Sequence, residues 1–127
     1  MGWTYWPARL EVDGKAEYRE LDDGPRPGHN WYQVSIWITI MPWVKVFVHN
    51  FYLVIDQIIT APPSNNDLAR GFLLNPSNPI KRQFTFNIYT GSVSLPEIVN
   101  AYIVLEAGVR RGKRAIKKPV TLTRHIL

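Results

Sequence analysis

Residues 30–60, NWYQVSIWITIMPWVKVFVHNFYLVIDQIIT, form an apolar stretch that carries only two formal charges, Lys45 and Asp56. A helix that crosses a bilayer needs about 20 consecutive apolar residues. Here Gln33, Ser35, Pro42, Lys45, His49, Asn50 and Asp56 interrupt the run, so no membrane span is expected. The period also argues against a helix. Val34, Ile36, Ile38 and Ile40 alternate with Gln33, Ser35, Trp37 and Thr39, the period of two that sends successive side chains to opposite faces of a strand. β-Branched and aromatic residues suit such a pleated surface. Pro42 has no amide proton for a ladder, so the first strand should stop or bulge near it. VKVFV follows as a second strand. The pair His49-Asn50 breaks the alternation and reads as a turn or bulge before a third strand from Phe51 to about Ile59.

The flanking sequence extends the β pattern. ARLEVDGKAEY reads as a hairpin with a three-residue loop, Val12-Asp13-Gly14, in which Gly14 supplies the left-handed position. That register sets Glu11 opposite Lys15 and Arg9 opposite Glu17, both pairs of opposite sign. APPSNNDLARGFLLNPSNPI collects Pro, Ser, Asn and Asp as a long surface connection, with a short helical turn expected at NDLARG. RQFTFNIYT puts Phe84, Phe86 and Ile88 on one face. EIVNAYIVLEA follows the breaker GSVSLP, and PVTLTRHIL alternates once more. A chain of 127 residues fits one domain with one core. Residues 1–127 are therefore expected to form a single antiparallel β-sandwich of seven to eight short strands, immunoglobulin-like or jelly-roll.

Several function classes recede on chemistry. With no cysteine there is no disulfide framework, thiolate metal site or cysteine nucleophile. His29, His49 and His125 lie far apart and lack a second ligand type at metal spacing, so no metal and no cofactor are expected. No serine sits in a nucleophile elbow and no Gly-rich loop opens a helix; the protein is not expected to be an enzyme. The start, MGWTYWPARL, has neither the basic region nor the apolar run of a secretory signal, which suggests an intracellular or virion-associated setting.

Charge and aromatic placement supply the positive clues. Residues 64–127 carry a net charge of +7 and residues 1–63 a net −2. GVRRGKRAIKK gathers Arg110, Arg111, Lys113, Arg114, Lys117 and Lys118 without an acid, and at a hairpin tip these would suit the phosphates of a nucleic acid or another polyanion. Trp31 and Trp37 fall on the face opposite the Ile-rich one, and Trp3, Tyr5 and Trp6 crowd the amino terminus. Such rings are either covered by protein, from this chain or a neighbouring subunit, or stack on a sugar or base.

The Cys-free chain, rich in Trp, Tyr, Ile and Pro and built of short strands, resembles in style the orphan β-sandwich proteins of viruses of hyperthermophilic archaea. VHNFYLVID is similar to the strand-turn-strand passage of immunoglobulin-like adhesion and filament modules. Both resemblances imply interaction rather than chemistry. The leading expectation is a structural or assembly protein that binds itself or another protein through an aromatic strand face. The alternatives are a phosphate-backbone binder using residues 108–118 and a carbohydrate-binding β-sandwich.

Overall fold

The computed structural model describes residues 8–21, 30–55, 58–59, 68, 71–109 and 112–125. They contain strands β1 (Ala8–Leu21), β2 (Asn30–Pro42), β3 (Val46–Ile55), β4 (Ile58–Ile59), β5 (Leu73–Leu74), β6 (Ile80–Gly91), β7 (Ile98–Val109) and β8 (Gly112–Arg124). The protein is all-β in its described residues. One sheet runs in the order β4-β3-β7-β8-β1-β2-β6, with β5 pairing β3 off this path.

Alternation decides which side chains face inward. Even-numbered positions of β2 from Tyr32 to Ile40, and Phe84, Phe86 and Ile88 of β6, are buried. On β7 the inward set is Val99, Ala101, Ile103, Leu105 and Ala107. β3 and β6 lie far apart along the path of the sheet, yet the Phe51 ring meets Phe84 and Phe86 at centroid distances of 5.0 and 6.1 Å. The sheet therefore curls until its inner face closes on itself around one core, aided by the twist natural to strands.

The expected purely antiparallel sheet requires correction. β1 runs parallel to β8 where Ala16, Glu17 and Tyr18 pair with Leu122, Thr123 and Arg124, so the sheet is mixed. The reason lies at Gly14, where the expected hairpin is also absent. β1 continues from Ala8 to Leu21, and its register against β2 shifts between Asp13 and Glu17. Gly14 sits at φ +72°, the left-handed backbone that a bulge needs and glycine tolerates. Arg9 and Glu11 consequently face Met41 and Thr39 of β2, and pair with each other at 3.8 Å.

The long strands follow from the same continuity. β3 passes through His49 as a bulge between Val48 and Asn50 instead of turning, and β2 ends at Pro42. The helical turn expected at NDLARG falls on residues of which only Leu68 and Gly71 are described.

Two rings fasten the loop between β6 and β7. The Tyr18 hydroxyl donates to the Pro96 carbonyl, and the Leu95 amide donates to the Tyr32 hydroxyl at 3.0 Å. Both tyrosines are buried, and their rings meet edge to face at 5.6 Å.

Candidate interaction surface

Strand direction sorts the connections into two ends. Ala8 pairs with Pro42, Ile40 with Ile80, Phe47 with both Leu73 and Gly108, and Val109 with Gly112. The start of β1, the β2–β3 turn, β5, the start of β6 and the β7–β8 hairpin thus share one end. The other end holds Leu21, Asn30, Ile55 and the loop after Gly91.

The first end is conspicuously apolar. Trp43 is 62 % exposed, Phe47 is 52 % exposed, and Val44, Phe72 and Leu73 are also exposed. Backbone bonds assemble part of this group. The Gly71 amide donates to the Val48 carbonyl at 2.7 Å and the Val48 amide to the Phe72 carbonyl at 2.8 Å. Gly71 has φ +87°, a conformation that lets the chain turn tightly onto β3 and set Phe72 and Leu73 beside Phe47. Trp37 and Met41 carry exposed apolar surface down the outer face of β2. Exposed apolar side chains gathered at one end of a sheet in this way are candidates for an interaction site.

The aromatic residues singled out from sequence part company. Trp31 and Trp37 are six positions apart on one face, about 20 Å along a strand, with Gln33 and Ser35 between them. Trp31 is half-buried and tilts against Tyr89 at 4.9 Å, and its indole N–H has no acceptor among the described residues. Trp37 is 48 % exposed. Trp3 and Trp6 lie outside the described residues.

The basic residues divide as well. Arg110 and Arg111 fall outside the described residues, between Val109 and Gly112, whose pairing closes the hairpin. Alternation puts Arg114 and Lys118 on the same face of β8 as the buried Val120 and Leu122, and both are half-buried. Lys117 occupies a position of the opposite face and is exposed. Of the described basic side chains of β8, Arg114 and Lys118 therefore share one face and Lys117 lies on the other.

Two polar groups lie elsewhere. The Asn50 side-chain amide donates to Glu106 Oε1 at 2.7 Å, and the Tyr52 hydroxyl reaches Glu106 Oε2 at 3.4 Å. Burial, then the Glu106 charge and its hydrogen bond, push the Tyr52 pKa above its usual value. A cleft of about 220 Å³ is lined by Glu17, Arg19, Gln33, Ser35, Gln83 and His125. His125 Nδ1 lies 2.8 Å from Glu17 Oε2, and Arg19 Nε donates to Gln33 at 3.1 Å. Among the described residues no group of three His, Asp or Glu side chains gathers as metal ligands, and no helix is long and apolar enough to cross a membrane.

Sequence reasoning missed Trp43, Val44, Phe47, Phe72 and Leu73 as surface residues. The signal was present in MPWVKVFV, where a turn at Pro42 leaves Trp43 and Val44 off any strand and the buried Val46 and Val48 put Phe47 on the outer face. Compared with protein-family models and with curated proteins, the chain matches none.

Proposed function

We propose that this protein is a non-enzymatic structural or assembly module that associates, in the first place with itself, through its apolar end. The observation that carries the proposal is the convergence of Trp43, Val44, Phe47, Phe72 and Leu73, all exposed, on one end of the sheet. Fully burying one such side chain contributes about 1.5–3 kcal/mol, and fixed aromatic rings are favoured anchors at interfaces. With it we propose that the curled sheet is an immunoglobulin-like sandwich. The halves β3-β7-β8 and β1-β2-β6, joined where β1 lies parallel to β8, have the strand neighbours of that architecture. Sedimentation velocity from low to several hundred micromolar tests it. The average mass should rise above the 14.7 kDa of one chain, and Trp43→Ser with Phe47→Ser should abolish the rise. A strict monomer across the whole range would defeat the proposal.

A second reading, phosphate-backbone binding, draws on the acid-free run of basic residues in GVRRGKRAIKK, which spans the hairpin closed at Val109 and Gly112. Contacts of this type make log K fall by about 0.9 per neutralised phosphate as log salt rises. Replacing Arg110, Arg111, Lys113 and Lys117 by Ser should flatten that slope by several units on mixed-sequence duplex DNA. No mobility shift by the unmutated protein at low salt would remove this reading.

A further inference from the structure

The outer face of β1, β2 and β6 carries a surface of a different kind from the apolar end. Burial of the even-numbered positions of β2 and β6 sends the odd-numbered ones outward. The register then sets Trp31 beside Tyr89, Gln33 beside Asn87 and Ser35 beside Thr85. Trp37 follows beside Gln83, so aromatic rings about 20 Å apart along β2 bracket an uncharged polar strip. The cleft of about 220 Å³ opens on this strip, where β1 sets Arg19 beside Gln33 and Glu17 beside Ser35.

Hydrogen bonds fix the walls of the cleft and orient what they leave over. Arg19 Nε donates to Gln33 Oε1, so both N–H groups of the Gln33 amide remain to donate elsewhere. His125 Nδ1 takes up Glu17 Oε2, and Glu17 Oε1 remains to accept. Ser35 adds a hydroxyl that can do either. The charged residues at the cleft, Glu17, Arg19 and His125, include both signs, and β2 and β6 bring no charge between Trp31 and Trp37 or between Gln83 and Tyr89.

We propose that this face binds a neutral carbohydrate chain laid along β2. Sugar hydroxyls donate and accept at once, and the amide and hydroxyl side chains of the strip do the same. The C–H faces of a sugar ring lie against aromatic rings, and the exposed Trp37 and Tyr89 offer one at each end of the strip. Charges of both signs weigh against a polyanion, which needs an excess of positive charge. The cleft is smaller than the roughly 300–1,000 Å³ of pockets that enclose a whole ligand. It therefore seats one ring, while the rest of the chain extends along the strand to the aromatic ends. The proposal stands apart from self-association, which uses Trp43 and Phe47 at the end of the sheet.

Isothermal titration calorimetry of the full chain against cellohexaose, laminarihexaose, mannohexaose, xylohexaose and chitohexaose provides the test. At least one should bind, and the matching disaccharide should bind several-fold more weakly because it cannot span the strip. Trp37→Ala and Gln33→Ala should each weaken binding several-fold, whereas Trp43→Ser should leave it unchanged. Asn87→Ala, at an exposed position, serves the same comparison if Gln33→Ala fails to fold. No binding to any of these chains would overturn the proposal, as would binding that both face variants leave intact. Binding confined to heparin, a sulfated chain, would also overturn it and place the contact on basic residues.

Discussion

If the sheet curls as described, Phe51 on β3 must be energetically coupled to Phe84 on β6, although no hydrogen-bonded ladder joins those strands. Phe51 is 2 % exposed and Phe84 fully buried, and their rings meet edge to face at 5.0 Å and 68°. Replacing a buried Phe by Ala costs about 3–5 kcal/mol, a large share of the roughly 5–15 kcal/mol that holds a domain folded. Leu is the gentler probe because it keeps most of the apolar volume. Each of Phe51→Leu and Phe84→Leu should lower the unfolding free energy by about 1–2 kcal/mol, within the ordinary range for a core substitution. The double variant should lose less than the sum, because the ring pair is worth about 0.5–1.5 kcal/mol beyond its area and can be lost only once. Urea unfolding followed by tryptophan fluorescence and far-ultraviolet circular dichroism supplies all four corners of the cycle. Strict additivity, to within about 0.3 kcal/mol, would mean that the two rings do not touch and would refute closure of the sheet between β3 and β6.

Other parts of the account yield their own numbers. Tyr32→Phe removes the acceptor of the buried Leu95 amide, and chemical denaturation should show a loss of about 1–3 kcal/mol; no loss would mean that the loop after β6 is not fastened there. Gly14→Ala places a side chain at φ +72° with nothing within 4 Å of the added carbon, so backbone strain alone should cost about 1–2 kcal/mol in the same assay, and an unchanged midpoint would contradict the bulge. The raised Tyr52 pKa means that the folded state holds the phenolic proton more tightly than the unfolded chain. Its contribution is fully present below the ordinary value near 10 and is lost as pH rises through the folded value. Unfolding measured from pH 9 to 11.5 should therefore show an alkaline loss that Tyr52→Phe reduces, and identical profiles for the two proteins would refute the assignment.

The strands were the most legible part of the sequence because a period of two records a physical fact, one buried face. Val34, Ile36, Ile38 and Ile40 are all fully buried, as are Phe84 and Phe86, and Pro42 ends β2 as its missing amide implies. The region around Gly14 was misread because a left-handed glycine serves a hairpin turn and a bulge equally well. The opposite-charge pairs that favoured the hairpin are exposed and worth only a few tenths of a kcal/mol each, whereas continuing β1 gains a ladder along β2 from Ala8 to Leu21. The parallel contact with β8 could not be read locally, since Ala16 and Leu122 belong to the first and last strands in chain order, which pair directly in the sheet. The apolar end was hidden for a related reason. Alternation tells which side chains point outward, but only topology tells that Trp43, Phe47 and Leu73 arrive at the same place.

Residue-resolved covalent footprinting across a concentration series tests the assembly surface most directly. Oxidation rates of exposed side chains would be compared at low micromolar and several hundred micromolar protein. The account predicts that Trp43, Phe47 and Phe72 become several-fold less reactive at the high concentration, while Tyr102, 49 % exposed on the outer face of β7 away from the end, keeps its rate. Equal reactivity of Trp43 and Phe47 at both concentrations, in samples that sedimentation shows to be associated, would place the contact elsewhere and contradict the central claim.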